Sequence, residues 1–155
     1  MGLLKQNHQN WMKKALDEAR KAFEKKEIPV GAVIVHENEI IGRGYNQREK
    51  LEDPTAHAEI LSITSAATHL NNWRLEDCSM YVTLEPCAMC AGAILNARIP
   101  KLYFGAYDKE NGMCGSRDNL LDRNIMNHSV TYRGGLLEKE SKDLLEQFFA
   151  KVREE

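Results

Sequence analysis

A histidine, two cysteines and a glutamate have the types and spacing to carry out a hydrolysis. His57 and Glu59 stand in Asp53-Pro54-Thr55-Ala56-His57-Ala58-Glu59, and Cys87 and Cys90 in Glu85-Pro86-Cys87-Ala88-Met89-Cys90. One imidazole and two thiols make three zinc ligands, one short of a closed structural site, so a place is kept for water. Zinc lowers the pKa of such a water from about 15.7 to about 7, which makes hydroxide available at neutral pH. Glu59, two residues from the histidine, can move the protons. A Cys-x-x-Cys pair alone also suits a structural knuckle or a redox pair. A closed knuckle needs a fourth ligand, and Cys78 and Cys114 stand singly without ligand spacing. A redox pair leaves His57 and Glu59 without a role. All four residues share one task only in the hydrolytic reading.

That reading dictates where the elements must lie. Residues two apart on a regular helix point to roughly opposite sides, so His57 and Glu59 can share a site only where the chain is entering a first turn. Asp53 and Thr55 are cap candidates there, with Pro54 suited to the entry. Pro86 suits the first turn of a second helix, where its missing amide hydrogen costs nothing. Two helix N-termini then face the metal, and their free amides favour the thiolate form of Cys87 and Cys90.

The whole chain sets further bounds. At 155 residues it is expected to be one domain, residues 1–155, that buries about two thirds of its unfolded surface. Four cysteines, two of them assigned to the metal, point to a reducing compartment, and the cytoplasm is the expected location. No apolar run is long enough to cross a bilayer, so no membrane partner is expected, and residues 1–6 carry no hydrophobic signal core. A net charge of −2 argues against a protein that holds nucleic acid by bulk charge. A local excess of base over acid does occur between positions 98 and 133, where Arg98, Lys101, Lys109, Arg117, Arg123 and Arg133 face Asp108, Glu110, Asp118 and Asp122. A solvated loop explains that excess as well as RNA does.

Periodicity predicts a first helix over residues 9–26, with Trp11, Met12, Ala15, Leu16, Ala19 and Phe23 on one face and Pro29 stopping it. Residues 30–35 read as a buried strand, Glu37-Asn38 as a turn, and residues 39–45 as its antiparallel partner, whose glycines weaken it unless something packs closely. Residues 46–52 read as a polar stretch. A second helix is expected to about residue 71, a strand over 78–84, a helix over 86–98 and a strand over 101–105 parallel to the one before it. Residues 108–123 read as a long Gly-, Asn- and Asp-rich loop, a length that signals function or mobility. A strand over 129–133, a break at Gly134-Gly135 and a helix over 136–152 complete the chain. Helices alternating with strands predict an α/β fold, a three-layer α/β/α arrangement around a mixed sheet of about five strands, with the metal at strand ends.

Taken together, the chain resembles the bacterial tRNA-specific adenosine deaminases within the cytidine deaminase-like fold. The resemblance rests on Ile28-Pro29-Val30-Gly31-Ala32, Gly44-Tyr45-Asn46, residues 53–60 and 81–93, Phe104-Gly105-Ala106, Asn127-His128 and Phe148-Phe149. His-x-Glu with Pro-Cys-x-x-Cys is the known signature of zinc-dependent base deaminases. The resemblance implies one zinc per chain on His57, Cys87 and Cys90, proton shuttling by Glu59, base contact by Asn46, ribose contact by Asp108 and a homodimer. It also implies a tRNA anticodon stem-loop as partner, gripped by residues 108–123 and by the end of the last helix near Lys151 and Arg153. An Asn at a strand end is otherwise turn chemistry, and Asp108 otherwise a solvated loop acid. The sequence departs from the family where Asp-Pro-Lys-x-Gly is usual: Asp108-Lys109-Glu110-Asn111-Gly112 leaves a phosphate contact to Lys109 or to none. A free guanine or cytosine deaminase, and a zinc-holding nucleic-acid binding module without activity, are the alternatives.

Overall fold

The apolar, branched runs of the sequence become the middle of a five-stranded sheet. The computed structural model describes residues 2–124 and 127–155, with side chains from residue 7. Strands β1 (Gly31–His36), β2 (Glu39–Tyr45), β3 (Cys78–Leu84), β4 (Lys101–Ala106) and β5 (Thr131–Arg133) lie in the order β2-β1-β3-β4-β5. β1 runs antiparallel to both β2 and β3, whereas β3, β4 and β5 are mutually parallel. Glu37 and Asn38 both have positive φ, the backbone that lets a two-residue turn follow the twist of the hairpin.

Both faces of the sheet are covered, which is why the central strands β1 and β3 are buried along nearly their whole length, while the edge strands β2 and β5 keep exposed polar residues. Ala32, Ile34, Met80, Val82, Leu102 and Phe104 face one way, against α3 (Ala58–Leu70) and α4 (Ala88–Asn96). Val33, Val35 and Tyr81 face the other way, against Met12 and Ala15 of α1 (Gly2–Glu24). Helix α5 (Glu138–Glu154) shares that second layer, and its Phe148 meets Phe23 of α1 edge-on at 5.9 Å. Side chains alternate along a strand, so a single shift of register would exchange the two cores. The three-layer mixed sheet is the expected one.

The boundaries differ from the sequence expectation in places that have a local cause. α1 ends at Glu24 rather than at residue 26, because Lys26 turns left-handed and Glu27 N–H closes back on the Ala22 carbonyl, well before Pro29. Residues 46–52 are not merely polar: Arg48–Leu51 forms a one-turn helix, α2. α4 begins at Ala88, with Cys87 as its N-cap, so Pro86 precedes the helix instead of sitting in its first turn. The last strand is limited to Thr131–Arg133. The glycines of β2 have the reason the sequence asked for. A side chain at Gly42 or Gly44 would come within 2.4 Å of the Ser62 or Ala58 carbonyl, so their absence lets α3 lie directly on the strand. That close approach sets the height of the N-terminus of α3, where His57 and Glu59 sit.

Candidate active site

His57 and Cys87 occupy the same position on two different helices. Each is an N-cap residue in extended backbone, and neither side chain caps its own helix. An N-cap side chain ordinarily turns back to accept an amide of the first turn. These two turn toward each other. Asp53, expected as a cap, instead accepts the Thr55 N–H at 2.8 Å and the Thr55 hydroxyl at 2.7 Å, a turn that delivers the chain to His57.

His57 Nδ1 lies 3.7 Å from Cys87 Sγ and 3.5 Å from Cys90 Sγ. The ligand atoms of all three residues fall within 4.8 Å of one another, a group that could hold a metal ion. The hydrogen bond from Cys90 draws the Cys87 thiol down to about 4, and that contact together with burial pushes the Cys90 thiol up. A half-buried thiolate at Cys87, with a second sulfur and an imidazole beside it, is a group that suits a cation. His57 is raised chiefly by its hydrogen bond with Cys87. Cys114 is buried, and burial pushes its thiol up, so it stands as a neutral packing residue.

Glu59, the second residue of α3, is buried and faces the same group. Loss of water around it raises its carboxyl to about 7, the range in which one group can both take and give a proton near neutrality. It stands in the wall of a cavity of about 680 Å³ that also exposes Asn46, Arg48, His57, Cys87, Asp108 and Arg117.

The structure therefore brings Asn46, His57, Glu59, Cys87 and Asp108 to one cavity, with Cys90 buried behind its wall beside His57. Their side chains are engaged to different degrees. Asn46 donates to the Ile28 carbonyl at 3.2 Å and accepts the Arg48 N–H at 3.2 Å, so turn chemistry holds it while one N–H and one lone pair remain for a ligand. Asp108 accepts the Glu110 and Asn111 N–H groups on Oδ1, both at 3.1 Å. Lys151 and Arg153 do not line the cavity, and Lys151 lies over the Phe23 ring instead.

The sequence reading missed two buried carboxylates that hold the cavity walls. Glu27 accepts the Glu49 and Lys50 N–H groups at 3.0 and 2.8 Å, which caps α2. Glu85, at the end of β3, accepts four bonds from the loop after β4. Their donors are the N–H groups of Asp108, Cys114 and Ser116 and the Ser116 hydroxyl. For Glu85, the available signal was a charged residue at the end of an apolar strand. Its partners lie far along the chain, and no spacing rule reaches them.

The comparisons with known proteins agree with this geometry. The family model for MafB19-like deaminases matches residues 6–153. The tRNA-specific adenosine deaminase of Aquifex aeolicus is 50% identical over 143 residues, 92% of this chain and 94% of that protein. That of Bacillus subtilis is 47% identical over 143 residues, 92% of this chain and 89% of its own. A chain solved in studies of A-to-I editing by tRNA:A34 deaminases at the wobble position of transfer RNA superposes with a TM-score of 0.80. It is 42% identical over 87% of this chain and 98% of its own. The guanine deaminase of Nitrosomonas europaea superposes with a TM-score of 0.79, at 23% identity over 92% of this chain and 84% of its own, and shares the fold alone. With its His/Cys/Cys group, its buried Glu59 and identity at that level over nearly its whole length, the chain belongs to the MafB19-like deaminase family and, within it, to the tRNA-specific adenosine deaminases.

Proposed function

We propose that this chain, as a single catalytic domain, hydrolyses adenosine to inosine at the wobble position of a tRNA anticodon. The observation that carries the chemistry is the buried Glu59 carboxyl beside His57, Cys87 and Cys90 in the wall of an open cavity. One zinc ion per chain fits those three residues. Bonds of about 2.05 Å to nitrogen and about 2.3 Å to sulfur in a tetrahedron put N and S about 3.6 Å apart, and the separations here are 3.5 and 3.7 Å. When bound, zinc supplies the acidity that readies water for attack at neutral pH.

The chain's own residues do the rest. Glu59 takes a proton from the attacking water and delivers it to adenine N1, then takes the proton of the hydroxyl now on C6 and gives it to N6, so that the C6–N6 bond breaks, ammonia leaves and the C6 carbonyl of inosine forms. Asn46 offers its remaining N–H and lone pair to the base edge. Asp108 offers the ribose its Oδ2, since Oδ1 is held by the loop backbone. A stacked base cannot bring C6 to the site, so the substrate nucleotide must be splayed out, and a hairpin loop supplies one cheaply. The protein's net charge of −2 leaves selectivity to shape and loop contacts more than to bulk attraction. The same reading makes the working unit a homodimer in the cytoplasm, where the tRNA is. Among the described residues no helix is long and apolar enough to cross a membrane.

The test offers free adenosine, a linear RNA with the same triplet, and the closed anticodon stem-loop at equal concentration. Inosine should form from the stem-loop by a wide margin over the linear RNA, and almost none should form from adenosine. Rapid deamination of a free base or nucleoside moves the chain to the small-molecule deaminases. A second measurement addresses Asp108. A 2′-hydroxyl distinguishes RNA from DNA, so Asp108→Asn should narrow the ratio of activity on an RNA stem-loop to that on its DNA counterpart. An unchanged ratio removes the ribose contact.

A further inference from the structure

The cavity wall opposite the helix N-termini is built by a segment with little secondary structure of its own. Asp108, Glu110, Asn111, Met113 and Arg117 all line the cavity. Around them the chain has turns, one isolated bridge between Cys114 and Asn119, and a three-residue 3-10 turn at Leu120–Asp122. Met113, Cys114, Leu120 and Leu121 tie the loop to the main core. Glu85 gathers the loop's polar backbone. Its Oε1 takes the Asp108 N–H at 3.1 Å and the Ser116 hydroxyl, and its Oε2 takes the Cys114 N–H at 3.1 Å and the Ser116 N–H at 2.9 Å. The carboxylate is 2% exposed. No cation pairs with it among the described residues, so its charge is balanced by loop donors alone. Gly112 completes the arrangement. A Cβ there would lie 2.4 Å from both the Glu85 carboxyl carbon and the Asp108 carbonyl, so only glycine lets the loop close on the acid.

We infer that Glu85 is a positioning residue for the substrate: by gathering the amides of residues 108, 114 and 116 on one carboxylate, it fixes the wall that grips the nucleotides around the target base. Glu85 also ends the strand that leads into Pro86 and Cys87. The wall and the metal group are thus anchored to the same strand end, which keeps their separation constant. A carboxylate suits the task because it accepts in several directions at once, and charge-assisted bonds are about twice as strong as neutral ones. A glutamine would turn an N–H toward donors and release part of the loop. The inference rests on the RNA reading above for the identity of what is gripped.

The experiment measures steady-state kinetics of Glu85→Gln, Ser116→Ala, Ser116→Thr and Gly112→Ala on the anticodon stem-loop, with zinc content determined for each. Glu85→Gln should raise KM roughly tenfold, the effect of a few unmatched buried donors, while kcat at saturation and zinc content stay near wild type. Gly112→Ala should do the same without touching the charge, by lifting the loop off the acid. Ser116→Ala should raise KM two- to threefold by about the loss of one such bond, and Ser116→Thr, which keeps the hydroxyl, should restore it. A residue that only stabilised the fold would lower the yield of active, zinc-loaded enzyme and leave KM alone. An unchanged KM in Glu85→Gln, or equal KM for Ser116→Ala and Ser116→Thr, overturns the inference. If wild type itself does not deaminate the stem-loop, the substrate reading fails instead, and the two failures are told apart by that control.

Discussion

Glu59→Ala is expected to lower turnover by at least about 10²- to 10⁴-fold while zinc content and RNA affinity remain near wild type. That range is what general acid–base catalysis contributes to a single step, and here one carboxyl serves the attacking water, N1 and the leaving N6. The separation of chemistry from binding follows from where the side chain sits. Glu59 is the second residue of α3, buried beside the metal group but outside the set of three ligands. Removing it deletes the proton carrier and leaves His57, Cys87 and Cys90 in place. The measurements are single-turnover inosine formation, metal analysis and stem-loop affinity on the same preparation. Near-normal turnover would mean that the buried acid moves no proton, and the chain would become a metal-holding nucleic-acid binding module.

The second large effect is expected from the cysteines. Cys87→Ala and Cys90→Ala each leave two protein ligands, and both should lose zinc and activity together. The loss should exceed the roughly 10- to 100-fold that even an outer-shell partner of a metal ligand costs. The geometry makes the two thiols unequal in access: Cys90 is fully buried in the first turn of α4, whereas Cys87, the N-cap, is partly open to the cavity. In the wild-type enzyme both should resist alkylation until a chelator is added, and Cys87 should then react first. Full zinc in both single variants would sink the ligand assignment.

What the sequence determined by itself is everything that depends on local pattern. The short apolar runs specified strands buried on two sides, the helical spacing of Met12, Ala15 and Ala19 specified α1, and Glu37-Asn38 specified the hairpin. The metal group was legible because its chemistry is unusual and its spacing short: a histidine and an acid two apart, two cysteines three apart. The requirement that His57 and Glu59 share a site puts them at a helix start, and the structure has them at the N-cap and the second residue of α3. Tertiary structure decided the rest, for one physical reason. A buried carboxylate is satisfied by whichever amides the fold brings to it, and those amides can lie anywhere in the chain. Glu27 caps α2 from more than 20 residues away, which is why that turn of helix reads as plain polar sequence. Glu85 collects donors from positions 108, 114 and 116, so a stretch whose composition signals mobility is a built wall. The sequence names the groups that do the chemistry, and the long-range satisfaction of two buried charges determines the shape of the cavity around them.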